Sequence, residues 1–140
     1  MRKFMKLFIV DDSAVLRQHL IDVLSGFEKI EIIGEAQDTI QAINSIQSLQ
    51  PDVVILDIRM PGGGGIDVLK KIKKNESSPI IIMFTNYPYP QYRKKCVDAG
   101  ADFFFDKSTE SEKMIKLLEQ LEKDFSRSRF PHIKTKKKDL

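Results

Sequence analysis

Val53-Val54-Ile55-Leu56-Asp57 sets four apolar side chains, without alternation, directly before a carboxylate. The same design recurs along the chain. Leu7-Phe8-Ile9-Val10 runs into Asp11 and Asp12, and Ile80-Ile81-Ile82-Met83-Phe84 runs into Thr85. Phe103-Phe104-Phe105-Asp106 is followed by Lys107. Short apolar runs that do not alternate read as strands covered on both faces. In a parallel sheet the carboxyl ends of such strands converge on one edge, where open α/β folds bind ligands. Three carboxylates, a hydroxyl and an ammonium gathered there point to a divalent cation and a phosphoryl group.

Working outward, the strand candidates are 6–11, 30–36, 52–57, 80–85 and 102–106. The second, Ile30-Glu31-Ile32-Ile33-Gly34-Glu35-Ala36, is more polar and reads as an edge strand. Helical patterns lie between them. The first starts near Ser13, puts Leu16, Leu20, Val23 and Phe27 on one face, and has Gly26 as its stop. The second starts at Asp38 with Gln41 in capping-box position, and carries Ile43, Ile46 and Leu49 before Pro51. The third follows a glycine run, with Ile66, Leu69 and Ile72 inward and Lys70, Lys71, Lys73 and Lys74 mostly outward. The fourth spans about Pro90 to Ala99 and ends at Gly100, a left-handed cap. The fifth begins near Thr109, with Glu112 three residues on and a stripe of Met114, Leu117, Leu118, Leu121 and Phe125. Five strand–helix repeats imply right-handed crossovers and an α/β, doubly wound three-layer sandwich. Periodicity leaves the strand order open.

The chain has 140 residues, 41% hydrophobic and 31% charged, as expected of one ordinary globular domain. No apolar stretch approaches a membrane span, and the N-terminus lacks the apolar segment of a signal peptide. A single cysteine, Cys96, excludes an internal disulfide framework and fits a cytoplasmic setting. Net charge is uneven. Residues 126–140 hold six Lys/Arg against one Asp, which leaves 17 against 19 in the rest. The expected organisation is a domain over 1–125 and a basic, flexible tail over 126–140, with no room for a second output domain. Lys136-Lys137-Lys138 is too short to specify a partner.

The carboxylates suit Mg²⁺, which takes about six oxygen ligands, uses one or two carboxylates and shares phosphate oxygens. Read alone, Asp11-Asp12-Ser13 also fits a helix cap. A carboxylate is in addition a nucleophile able to form an aspartyl phosphate. Asp57 is best placed for this, since a glycine-rich loop after a central strand leaves its face open. Lys107 and Thr85 would then contact phosphoryl oxygens, which meets the positioning and charge needs of phosphoryl transfer.

The segments Phe8-Ile9-Val10-Asp11-Asp12-Ser13, Ile55-Leu56-Asp57-Ile58-Arg59-Met60-Pro61, Phe84-Thr85 and Gly100-Ala101-Asp102 through Lys107 resemble the receiver domain of two-component response regulators. The resemblance covers roughly residues 5–125 and is to a chemotaxis-type, stand-alone receiver. It implies a flavodoxin-like fold with strand order 2-1-3-4-5. It further implies that Asp57 accepts phosphate from a sensor histidine kinase or histidine phosphotransfer protein. Asp11, Asp12, Asp57 and the backbone carbonyl of Arg59 would hold Mg²⁺, and Thr85 and Lys107 would bind phosphoryl oxygens. Thr85 and Phe104 match the switch positions. The implied output is a downstream protein at the helix 4–strand 5–helix 5 face, with no membrane or nucleic-acid partner, from a monomer or weak dimer. The domain would be no enzyme beyond its own aspartyl phosphorylation and dephosphorylation.

Departures from the family pattern lie beside the site. Ser108 follows Lys107 where the family usually has Pro, often cis, so that loop is expected to differ. Asn86 stands where a very small residue is usual, and would narrow access to Asp57 or hydrogen-bond near it. Phe104 lacks a hydroxyl, so any switch acts through packing. Gly62-Gly63-Gly64-Gly65 lacks the Lys-Ser/Thr ending of a P-loop and reads as a mobile loop. Arg59 is either a tuner of the acyl phosphate or a solvated cation. Tyr87-Pro88-Tyr89-Pro90-Gln91-Tyr92 is either a partner surface or a stiff loop. Cys96 reads as a packed helix residue, His19 as exposed, and neither histidine has metal-ligand companions. Two other functions compete: an aspartyl-phosphate hydrolase, which would want a second Asp where Arg59 stands, and a binding module independent of phosphorylation.

Overall fold

A computed structural model describes residues 4–74 and 78–127. The basic tail beyond Arg127, with His132, lies outside the described residues. Strand and helix alternate as β1 (Met5–Val10), α1 (Ala14–Leu24), β2 (Ile30–Ala36), α2 (Thr39–Leu49) and β3 (Val53–Leu56). There follow α3 (Gly65–Ile72), β4 (Ile80–Thr85), α4 (Pro90–Asp98), β5 (Phe103–Asp106) and α5 (Ser111–Ser126). All five strands are parallel, in the order β2-β1-β3-β4-β5. This is the flavodoxin-like arrangement.

The strands that read as uniformly apolar are the inner ones. Every residue of β3 and β4 is buried. Successive side chains leave opposite faces. Phe8, Val10, Val54, Leu56, Ile81 and Met83 therefore pack with α2, α3 and α4. Leu7, Ile9, Val53, Ile55, Ile80 and Ile82 pack beneath α1 and α5. Each fully buried Leu or Ile stabilises the fold by roughly 1.5–3 kcal/mol relative to exposure, so these two layers dominate the energetics. The edge strand β2 is only partly covered, with Glu31 and Glu35 exposed and Ile30 and Ala36 buried at its ends.

Helix starts follow local chemistry. Ser13 Oγ accepts from Leu16 N at 3.2 Å, and Asp38 Oδ1 accepts from Gln41 N at 2.8 Å. Gln41 Oε1 reaches back to Gln37 N at 2.9 Å, one residue before the cap. Gly100 takes φ +104°, the left-handed value expected of it.

Four expectations are corrected. Val23 is exposed and Leu24 buried, because Leu20 and Leu24, one turn apart, set the inward face of α1. Leu49 is exposed because the chain leaves α2 through the left-handed Gln50. Helix α5 begins at Ser111 rather than Thr109, since Glu110 Oε1 turns back to accept from Asp106 N at 2.9 Å. Lys73 points inward, onto Asp102.

Candidate functional site

The register builds the site. Val10 lies opposite Leu56, so Asp11 and Asp57 leave neighbouring strands side by side. Asp57 N donates to Val10 O at 3.0 Å, which fixes that juxtaposition. Thr85 lies opposite Asp106, and Lys107 N donates to Thr85 O at 2.9 Å. Four strand ends thereby deliver Asp11, Asp12, Asp57, Thr85 and Lys107 to one edge of the sheet.

Lys107 Nζ donates to Asp11 Oδ2 at 2.6 Å and to Asp57 Oδ2 at 2.9 Å. Asp57 Oδ1 accepts from Ile58 N at 2.7 Å, which sets the carboxylate's rotation. Burial lowers the affinity of the Lys107 ammonium for its proton, but the bonds to Asp11 and Asp57 outweigh it and hold the pKa above 10.5. Asp11 moves the other way. Desolvation raises its pKa above 3.8 despite the bond to Lys107 and the Ser13 N–H on its other oxygen. Two carboxylates with one ammonium between them leave an excess of negative charge that favours a cation or a phosphoryl group's partner metal.

Carboxylate oxygens of Asp11, Asp12 and Asp57 lie within 4.8 Å of one another. Asp12 is exposed, and its carboxylate has no protein partner among the described residues. Helix capping is performed by Ser13 Oγ, so Asp12 is left over for another role. Three hard oxygen donors with this spacing suit Mg²⁺.

Glycine shapes the floor. A Cβ on Gly65 would collide with the carbonyl of Asp57, so α3 starts this close to Asp57 only because residue 65 has no side chain. Gly62, Gly63 and Gly64 all take positive φ. The loop they form is anchored to α2 at two points. Gly64 N donates to Thr39 Oγ1 at 2.8 Å, and Thr39 N donates to Pro61 O at 3.1 Å.

Thr85 is fully buried, and its Oγ1 accepts from Tyr87 N at 3.1 Å. Phe104 is buried with the Arg93 guanidinium 4.5 Å over its ring. Arg59 is exposed and stacks on Tyr87 at 4.6 Å, so it is not a wholly solvated cation. Asn86 is exposed. After Lys107 the loop is organised by Asp106, whose Oδ1 accepts from both Ser108 Oγ at 2.7 Å and Ser108 N at 2.9 Å. Those two bonds lower the Asp106 pKa below 3.8. Cys96 is buried, and burial pushes its thiol up to about 11, which makes it a packing residue. His19 is exposed as expected.

Arg17 escaped the sequence reading. Its Nη1 donates to Asp11 O at 2.6 Å and its Nε to Glu35 Oε1 at 2.6 Å, tying α1 and β2 to the loop that carries Asp12. Its place one turn after Ser13 was the available signal, but its partners come from outside the helix. Glu35 is largely exposed, so the pair itself adds little. Loss of the bond to the Asp11 carbonyl makes Arg17→Ala about 1–2 kcal/mol less stable. Amide exchange at Asp12 and Ser13 should accelerate with it, and unchanged exchange there would show that Arg17 does not order the loop.

The sequence model of the response regulator receiver domain matches residues 7–119. The chain belongs to that family. Among relatives of this receiver domain is the protein-glutamate methylesterase/protein-glutamine glutaminase 3 of Leptospira interrogans serogroup Icterohaemorrhagiae serovar copenhageni (strain Fiocruz L1-130), 52% identical over 77 residues. The match takes in 55% of this chain and 22% of that protein, so the receiver domain spans about a fifth of the relative. The response regulator domain of Thermotoga maritima CheB superposes with a TM-score of 0.76 at 24% identity, covering 86% of this chain and 97% of that one, which bears on the fold alone. The CheX-CheY-BeF3-Mg+2 complex from Borrelia burgdorferi matches with a TM-score of 0.75 at 28% identity, over 84% of this chain and 88% of that one. No helix among the described residues is long and apolar enough to cross a membrane.

Proposed function

We propose that this receiver accepts a phosphoryl group on Asp57 from a sensor histidine kinase or histidine phosphotransfer protein, and signals by a change in protein affinity. The observation that carries the reading is the Lys107 ammonium held between Asp11 and Asp57, at 2.6 and 2.9 Å, beside a third carboxylate. A Lys and metal-ligating carboxylates around one acceptor oxygen are what an in-line phosphoryl transfer requires.

The Ile58 N–H holds one Asp57 oxygen, and the other forms the new bond to phosphorus as the P–N bond of the donor phosphohistidine breaks. The bonding electrons leave with the imidazole nitrogen. Lys107 turns from the carboxylates to a phosphoryl oxygen, and the Thr85 hydroxyl leaves the Tyr87 N–H to donate to another. Asp11, Asp12, Asp57 and the Arg59 carbonyl would hold Mg²⁺, which when bound neutralises phosphoryl charge. That the Borrelia burgdorferi relative was solved with BeF3 and Mg²⁺ supports this choice.

Movement of Thr85 is the switch step. Thr85 and Phe104 lie on adjacent strands, and Phe104 packs under Arg93 of α4, so a shift at Thr85 is passed on by packing. The downstream protein is read at the α4–β5–α5 face, in the cytoplasm. The receiver catalyses only its own phosphorylation and dephosphorylation, and Arg59 on Tyr87 stands where it can govern the lifetime of the product.

Treatment with phosphoramidate and Mg²⁺ should add one acid-stable, base-labile phosphoryl group to the wild type and none to Asp57→Asn. An unmodified wild type with bound Mg²⁺, or a modified Asp57→Asn, would sink the assignment. Steady turnover of a phosphomonoester would favour a hydrolase instead.

A further inference from the structure

Beside the phosphoryl site, a cleft of about 250 Å³ opens between the β3–α3 loop and α4. Ile58, Met60, Ile66 and Tyr92 supply its apolar side chains, and Arg59 and the backbone of Gly63 and Gly64 complete a lining of mixed polarity. The volume is below the roughly 300–1,000 Å³ of clefts that take cofactors or drug-sized ligands. It is of a size to receive one large side chain of another protein.

The surroundings are cationic. Lys70 follows Ile66 by one turn of α3, and Lys95 follows Tyr92 by one turn of α4, so both continue the cleft's two walls. Both are exposed, as are Lys71, Lys74 and Arg59. Against them stand the carboxylates of the neighbouring site, two of which Lys107 already pairs, and two further acids on the helices. Asp67 lies against Gly63, and Asp98 is already paired with Lys94 at 3.0 Å. The excess of positive charge is local, since the domain without its tail is mildly acidic.

The tyrosines argue for protein rather than nucleic acid. Tyr87 is covered by the Arg59 guanidinium, and Tyr89 and Tyr92 pack on each other at 5.9 Å and 48°. These contacts reduce the aromatic surface left for stacked bases. Tyr and Arg beside an apolar pocket are the residues that dominate protein interfaces.

We propose that this cleft docks an acidic protein segment bearing one large apolar side chain. The apolar side chain enters between Ile66 and Tyr92, and flanking carboxylates meet Lys70, Lys95 and Arg59. The surface is distinct from the α4–β5–α5 face, sharing only α4 with it.

The test follows amide NMR shifts of the whole chain on titration with the peptide Asp-Glu-Asp-Leu-Phe-Asp-Glu. Saturable shifts are expected at Gly63, Gly64, Ile66 and Tyr92. Lys70→Glu and Lys95→Glu, both at exposed positions, should each weaken binding about fivefold, as reversal of a rim charge does. A peptide with Leu-Phe replaced by Ser-Ser should not saturate. The proposal is overturned if no saturable shifts appear at those residues, if the serine peptide binds equally well, or if the charge reversals have no effect. Tighter binding of oligo-dT at the same residues would also overturn it, assigning the surface to nucleic acid.

Discussion

Lys107→Ala should take up a phosphoryl group from phosphoramidate about 100–1,000-fold more slowly than wild type, the scale for loss of one preorganised charge donor. Its Mg²⁺ affinity should not fall. Lys107 Nζ touches Asp11 at 2.6 Å and Asp57 at 2.9 Å, so it satisfies the same two carboxylates that would ligate the metal. Removing it leaves those carboxylates close together without a counter-charge, which disfavours their ionised forms and strengthens their attraction for a cation. Phosphoryl uptake and metal affinity therefore separate in this variant. Lys107→Arg should restore little, because a planar guanidinium cannot replace a compact ammonium between two carboxylates. Calorimetric Mg²⁺ titration and phosphorylation followed by mass spectrometry supply the two readouts. A parallel loss of both would mean that Lys107 merely holds the site together.

The second large effect lies at the opposite edge of the sheet. Lys73→Met should destabilise the domain by about 3–5 kcal/mol, the cost of stranding one partner of a buried ion pair. Asp102 is fully buried; its Oδ2 accepts from Lys73 Nζ at 2.7 Å and from Ile81 N at 2.8 Å. Lys73 Nζ also donates to Pro79 O at 2.8 Å, so the ammonium joins the end of α3 to the starts of β4 and β5. Asp102 Oδ1 has no partner among the described residues, so the anion rests on Lys73 and the Ile81 N–H. Against a total stability of about 5–15 kcal/mol, this loss would leave a marginal fold. Adding Asp102→Asn should recover much of it, because an amide oxygen still accepts from Ile81 N and no charge is stranded. Urea unfolding of the single and double variants tests this, and a cost below about 1 kcal/mol for Lys73→Met would show that the pair is solvated.

These two lysines mark the reach of sequence reading. Lys107 was legible because it stands one residue beyond an apolar run and therefore emerges where a strand ends. Lys73 was read as one of several outward lysines on α3, since helical spacing places it within a basic stretch and says nothing of Asp102, 29 residues away. Arg17 was missed for the same reason: its partners, Asp11 and Glu35, belong to other elements. The glycine run showed that its backbone is unusual, but not that Thr39, from α2, would hold it. The tyrosine segment was ambiguous until packing divided it, with Tyr87 under Arg59 and Tyr92 lining the cleft.

By itself the sequence determined the strands, the burial of the inner ones on both faces, the caps of α1 and α2 and which chemical groups stand at the strand ends. Those properties follow from periodicity and neighbouring residues, over distances of a few positions. Strand register is a matter of pairing between distant segments, and only the tertiary structure decided it. That pairing set Asp11 beside Asp57, placed Lys107 between them and turned Lys73 inward. Charged side chains lie inside only when a partner offsets their desolvation, and which partner is available is fixed by how the whole chain packs.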